Sequence, residues 1–158
     1  MYKIFIDNSN NELIKTLSKK VQDALLAHDN CIVYNNSKTT ERDDIIDNVE
    51  LDAYIYIQER ASTKGPEVIL DEENKFSNGI AKEVYKEIRK IYHDKQIDKG
   101  LVYKKNVFNS NLNSVPSIII NIIDINNSDD IKWLEQGIEE IALAISRGIM
   151  ISFELKLC

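Results

Sequence analysis

The stretch Val115-Pro116-Ser117-Ile118-Ile119-Ile120-Asn121-Ile122-Ile123-Asp124 decides how this chain is read. From Ser117 to Ile123 it is the most apolar run in the sequence, and that pattern predicts a central strand buried on both faces. Its end, Asp124-Ile125-Asn126-Asn127-Ser128-Asp129, is rich in turn and cap formers and leads into a last helix. That helix carries Trp133, Leu134, Ile138, Ile141, Ala142 and Ile145 at helical spacing. Gly148 is expected to end or weaken it. A buried strand running straight into an amphipathic helix is the unit from which parallel sheets are built.

The same order recurs upstream. Tyr2 to Ile6 alternates and stops at Asp7-Asn8-Ser9-Asn10-Asn11, after which Leu13, Ile14, Leu17, Val21, Ala24 and Leu25 mark the apolar face of a helix. Cys31-Ile32-Val33-Tyr34 reads as a second strand, followed by a short helix capped by Thr40 and holding Ile45, Ile46 and Val49. Ala53 to Ile57 and Glu67 to Leu70 are further strands separated by a loop, and Ser77 is placed as the N-cap of a helix through Ile80, Val84, Ile88 and Ile91. The expected architecture is one α/β domain over residues 1–158, with a central, mostly parallel sheet of about six strands and helices on both faces. Residues 149–158 are left open as a C-terminal strand, a tail or an extension of the last helix, since Phe153, Leu155 and Leu157 alternate with charges.

Composition narrows the function classes. The 158 residues are 43% apolar and 29% charged, which suits a folded domain, and no apolar run approaches the roughly 18 residues that cross a bilayer. A net charge of -6, with no local Lys/Arg cluster longer than a dipeptide, argues against nucleic acid and anionic membranes as partners. Cys31 and Cys158 stand outside any CxxC pair and read as free thiols. The N-terminus reads as a first strand rather than a secretory signal, which points to the cytoplasm for the chain as given. Ser9, Ser62 and Ser77 lack a GxSxG context, so a serine hydrolase is not indicated.

Placed end to end, these pieces resemble the zinc-dependent N-acetylmuramoyl-L-alanine amidases of the family 3 type, found among cell-wall amidases, sporulation amidases and phage endolysins. The resemblance is carried by Lys99-Gly100-Leu101, by Val115 to Asn121, by Asn127, Asp130 and Trp133-Leu134, and by Ile141 to Ile149. These are similar to the family's "RGV…vPavLvEvGFlsN..D…L" segment and its closing "iA.aIa.GI" helix. Arg42 and Asp52 fall at the family's spacing before Tyr54-Ile55-Tyr56-Ile57, and Gly65 and Glu67 are similar to its "kG.E" turn.

The resemblance implies a zinc held by two histidines and a glutamate, with a further glutamate as base toward the metal-bound water. In this chain the first histidine position falls at or near Asn10, and Asn10 or Asn11 serves for both ends of a shortened loop. The second falls on Gln58, and the base falls on Asn121. Amides match neither an imidazole as zinc ligand nor a carboxylate as base. The only histidines, His28 and His93, lie at helix ends away from these positions. No zinc cofactor and no catalytic residue are therefore expected, and Asn10, Gln58 and Asn121 are candidates for a remodelled polar pocket or a former site filled with hydrogen-bonded amides. Asp7, Glu12, Glu59 and Asp124, near strand ends, are the carboxylates that could gather a hard cation instead.

The resulting expectation is a pseudoenzyme acting as a binding or assembly module in a cell-envelope, sporulation or phage-derived setting. A protein partner or a homo-oligomer is expected, and peptidoglycan is a possible ligand. The alternatives are an active peptidoglycan amidase with a displaced site and a metal-free peptidoglycan-binding module. Trp133 is open to two readings, a sugar-stacking platform or part of the core or an interface.

Overall fold

The computed structural model describes residues 1–36 and 41–156. Six strands form one sheet: β1 (Tyr2–Asn8), β2 (Cys31–Asn35), β3 (Ala53–Arg60), β4 (Glu67–Asp71), β5 (Leu101–Lys104) and β6 (Ser117–Asp124). The helices are α1 (Glu12–Leu26), α2 (Arg42–Asn48), α3 (Asn78–Ile91) and α4 (Ser128–Lys156). The strand order is β2-β1-β3-β6-β4-β5, and every neighbouring pair is parallel except β4 with β6. The decisive apolar run is thus an interior strand, flanked on both edges.

Strand alternation sorts the side chains onto two faces. Ile4 and Ile6 of β1, Ile55 and Ile57 of β3, Val68 and Leu70 of β4, and Ile118 and Ile120 of β6 are fully or almost fully buried in one large core. That core is roofed by α1, α3 and α4, with α4 packed between the other two. The opposite face carries a smaller cluster built on Phe5, Tyr54, Ile46, Leu51, Leu112 and Val115. Helices do lie on both faces, but the second has only α2, aided by the short 3-10 turn at Ser110–Leu112. Much of that face is therefore left to polar side chains, and this is where the candidate site lies.

Local chemistry explains most boundaries. The Asn11 side chain caps α1, its Oδ1 accepting from the amides of Leu13 at 2.9 Å and Ile14 at 3.1 Å. The Ser77 hydroxyl makes no cap hydrogen bond; it accepts instead from the Ser117 amide at 2.8 Å, tying the start of α3 to β6. Thr40, expected to cap the second helix, lies outside the described residues; α2 starts at Arg42 with Glu41 at its N-cap position.

One expectation about the last helix needs correction, and one open reading is decided. Gly148 neither ends nor weakens α4, which runs through it to Lys156. An added Cβ there would lie 2.5 Å from Val84 Cα and 2.9 Å from Glu83 O, so the glycine is where α3 and α4 cross at backbone distance. Of the readings left open for residues 149–158, the helical extension is the one observed as far as Lys156, with Leu157 and Cys158 outside the described residues. Phe153 turns inward and stacks on Tyr2 at 4.4 Å between ring centroids, which anchors the helix end against β1. Where α4 does lose regular geometry is Gly137, at φ -115° and ψ 22°.

Candidate functional site

Gln58 of β3 and Asn121 of β6 are register partners, and the antiparallel neighbour β4 places Glu67 opposite Asn121 on the other side. Register partners point to the same side of a sheet, so the three side chains form a row across three strands on the thinly covered face. The row is joined throughout. Gln58 Nε2 donates to Asn121 Oδ1 at 2.8 Å, and Asn121 Nδ2 donates to Glu67 Oε1 at 2.8 Å.

Arg60, two residues beyond Gln58 on the same strand, closes the row. Its Nη1 lies 2.5 Å from Glu67 Oε1, while Nε and Nη2 donate to the carbonyls of Thr63 at 3.1 Å and Gly65 at 2.9 Å. The side chains of Arg60 and Glu67 are only 15% and 11% exposed, so this is a largely desolvated pair whose remaining donors are satisfied by backbone. An extra residue in β6 between its pairings with Gln58 and Arg60 sets Arg60 opposite Asp124, and both Ile122 and Ile123 join the main core.

A second polar cluster lies on β1. Asp7, 2% exposed, accepts from the Tyr54 hydroxyl at 2.5 Å and from the Asn8 amide at 2.9 Å, and Arg42 Nε stands 3.6 Å from it. Burial, and then the adjacent Asp7 charge, push the Tyr54 hydroxyl far above its ordinary range. Arg42 also lies over the Tyr54 ring at 5.4 Å, a cation–π contact. Asp52, the other residue noted at the family's spacing before β3, accepts from the Lys3 amide at 2.8 Å.

The structure therefore brings Gln58 and Asn121 into direct contact, while Asn10 follows Ser9, whose amide donates to the Ile57 carbonyl and whose hydroxyl donates to Glu59 on β3. Asn10 is exposed and, with Asp7, Asn8, Lys15, Lys19 and Gln22, lines a separate polar concavity of about 400 Å³. The four carboxylates considered for a hard cation do not converge either. Glu59 accepts from the Ser9 hydroxyl at 2.6 Å, Asp124 Oδ1 accepts from the amides of Ser62 and Asn126, and Glu12 pairs with Lys15 at the exposed start of α1. Among the described residues no group of three or more His, Cys, Asp or Glu side chains could hold a metal ion.

The donors at the row do not fit zinc: two primary amides, already bonded to each other, and a carboxylate neutralised by a guanidinium. His28 is exposed just after α1, and His93 lies past α3 with Nε2 3.7 Å from Asp130. Asp130 is fully buried and serves the scaffold. Its Oδ2 accepts from the amides of Gly65 at 3.0 Å and Asp124 at 2.9 Å, and its Oδ1 accepts from the Tyr92 hydroxyl at 2.5 Å. Trp133 is half-buried, donates from its indole to the Ile91 carbonyl at 3.0 Å and meets Tyr92 edge-on at 4.9 Å. It also borders an open concavity with His93, Gln136 and Glu140. Cys31 is buried beside Met150, and burial raises its thiol pKa, which makes it unreactive.

Glu67 and Arg60 are the members of the row that sequence reading missed as site residues. Glu67 was visible as part of a turn motif, but nothing in the order of residues says that β4 runs antiparallel to β6 and delivers it to Asn121.

No protein-family model matches the chain, and no curated protein matches it. Solved structures do. The CwlD amidase of Clostridioides difficile, in complex with the GerS lipoprotein, superposes with a TM-score of 0.83 at 17% identity, covering 98% of this chain and 100% of that one. The amidase AmiC2 of Nostoc punctiforme gives a TM-score of 0.76 at 17% identity over 97% of each chain. The catalytic domain of the CD27L endolysin, which targets Clostridia difficile, gives 0.76 at 16% identity over 96% of this chain and 98% of that one. The chain has the fold of the N-acetylmuramoyl-L-alanine amidases, from end to end.

Proposed function

We propose that this amidase-fold domain is catalytically inactive and acts as a binding or assembly module in a cell-envelope, sporulation or phage-derived setting. The observation that carries this reading is the closed row Gln58–Asn121–Glu67–Arg60. An amide has no basic lone pair at neutral pH with which to activate water, and Asn121 has both its oxygen and its nitrogen committed to neighbours. The carboxylate in the row, Glu67, is held by a guanidinium that balances its charge. Hydrogen bonds satisfy groups that in a hydrolase would face substrate, so the row now contributes to the sheet rather than to chemistry. Partner binding is supported by the complex in which CwlD is held with a lipoprotein, since a fold that offers one such surface can retain it without catalysis.

The test combines metal content with hydrolysis. Protein purified without a histidine tag and dialysed against zinc should retain no stoichiometric metal, and it should release no soluble fragments from peptidoglycan above a heat-treated control. One zinc per chain surviving dialysis, or cleavage between muramic acid and L-alanine, overturns the proposal in favour of an active amidase. Sedimentation with intact peptidoglycan, without cleavage, would identify the ligand of the module as the wall polymer itself.

A further inference from the structure

The helical period of α3 gathers charges that are scattered in the sequence. Lys82, Lys86, Arg89 and Lys90 follow one another at i, i+4, i+7 and i+8, which puts them on one flank of the helix. Lys95, in the loop after α3, curls back onto the same flank: its ammonium donates to the carbonyls of Arg89 and Lys90, and the Arg89 guanidinium donates to the Lys95 carbonyl. These five cations border a groove of about 540 Å³ whose floor is Tyr85 and Leu101. Lys90 is paired with Glu87 at 2.7 Å, but among the described residues Lys82, Lys86, Arg89 and Lys95 have no carboxylate partner. Asp98 accepts from the Tyr85 hydroxyl at 2.5 Å, and against it and Glu87 the five cations leave a local excess of positive charge in a chain with a net charge of -6.

The groove also borders a free sheet edge. Leu101 belongs to β5, the last strand in the order, and among the described residues nothing pairs with its outer side. Tyr103, two residues on and so on the same face as Leu101, is 52% exposed and extends the apolar floor along that edge. Open backbone donors and acceptors, an apolar strip and a bank of cations are three independent recognition elements side by side.

We propose that the α3 flank and the β5 edge together form a docking surface for an acidic, extended polypeptide segment of a partner protein. Its backbone adds to β5, its carboxylates pair with Lys82, Lys86 and Arg89, and its apolar side chains cover Tyr85, Leu101 and Tyr103. A polypeptide suits this surface better than a polyphosphate or an anionic membrane. A polyphosphate has no use for the apolar floor or the open strand, and a membrane cannot enter a groove to reach them. The surface is separate from the Gln58 row, so the inference holds whatever the catalytic state of the domain.

Fluorescence anisotropy with the full chain tests it, using a labelled peptide of alternating glutamate and valine. Saturable binding is expected, falling as salt is raised. It should weaken at least about tenfold in K82E/K86E and stay unchanged in K132E/R147E, which alters net charge equally on exposed positions elsewhere. Circular dichroism establishes that both variants are folded. The proposal is overturned if the acidic peptide fails to saturate, if both variants weaken it alike, or if a lysine–valine peptide binds as well. It is also overturned if phosphatidylglycerol vesicles or single-stranded DNA bind the groove while the peptide does not.

Discussion

Asn121 and Glu67 meet across the antiparallel seam of the sheet, the asparagine amide donating to the carboxylate at 2.8 Å from a directly paired register position. Both are almost fully buried. A donor is therefore required at position 121 as long as Glu67 is ionised, and a carboxylate there would oppose a like charge at hydrogen-bond distance.

Asn121→Asp should accordingly destabilise the fold at neutral pH by about 1–3 kcal/mol, through one lost donor and one unfavourable charge pair. Adding Glu67→Gln should restore part of that loss, because the new amide can donate to the new carboxylate. Urea midpoints of the two singles and the double give the coupling. An Asn121→Asp midpoint equal to that of the parent would mean that the row contributes nothing to stability.

Asp130 holds Gly65, Asp124 and Tyr92 at once from a fully buried position. Asp130→Ala strands two amides and a hydroxyl, so a loss of roughly 3 kcal/mol or more is expected. Hydrogen exchange should show the change first at the Gly65 and Asp124 amides. Unchanged protection there would refute the assignment.

The crossing of α3 and α4 depends on the missing side chain at Gly148. Gly148→Ala should cost about 1–3 kcal/mol or more, since the obstacles are backbone atoms of Val84 and Glu83 that cannot rotate away. Gly79, in the first turn of α3, is the control. A Cβ there has nothing within 4 Å, and Gly79→Ala should be neutral or stabilising by about 0.5 kcal/mol. Thermal melts of the pair suffice, and equal melting temperatures would contradict the packing.

Alkaline stability follows from Tyr54 and Tyr92. Burial, then their hydrogen-bonded and charged partners Asp7 and Asp130, raise both hydroxyls above the ordinary value of 10.0. Their contribution is fully present below pH 10 and is lost as the pH rises further, because the unfolded chain releases protons that the folded chain keeps. Stability should fall more steeply with pH above about 10, and Tyr92→Phe should make that fall shallower while being somewhat less stable at neutral pH. Urea titrations from pH 8 to 11 check this; an unchanged slope in Tyr92→Phe would show that Tyr92 does not titrate late.

Much of the scaffold is legible in the chain itself. Ser117 to Ile123 could be read as an interior strand, and Leu13, Ile14, Leu17, Val21 and Leu25 as a helix face, because apolar spacing records which side chains leave water. The amides at Gln58 and Asn121 could also be read, since residue chemistry needs no coordinates. Other features were invisible for a shared reason. Phe153 and Leu155 alternate with charges as a strand would, and only the structure shows the helix that buries Phe153 against Tyr2 and leaves Leu155 exposed. Gly148 looks like a helix stop until α3 is seen to cross there. The meeting of the α3 flank with Leu101 of β5 and the partnership of Asn121 with Glu67 likewise join residues separated along the chain. A sequence by itself determines what each segment would bury and what each side chain can do. Which segments become neighbours is decided by packing the whole chain at once, and therefore by the tertiary structure alone.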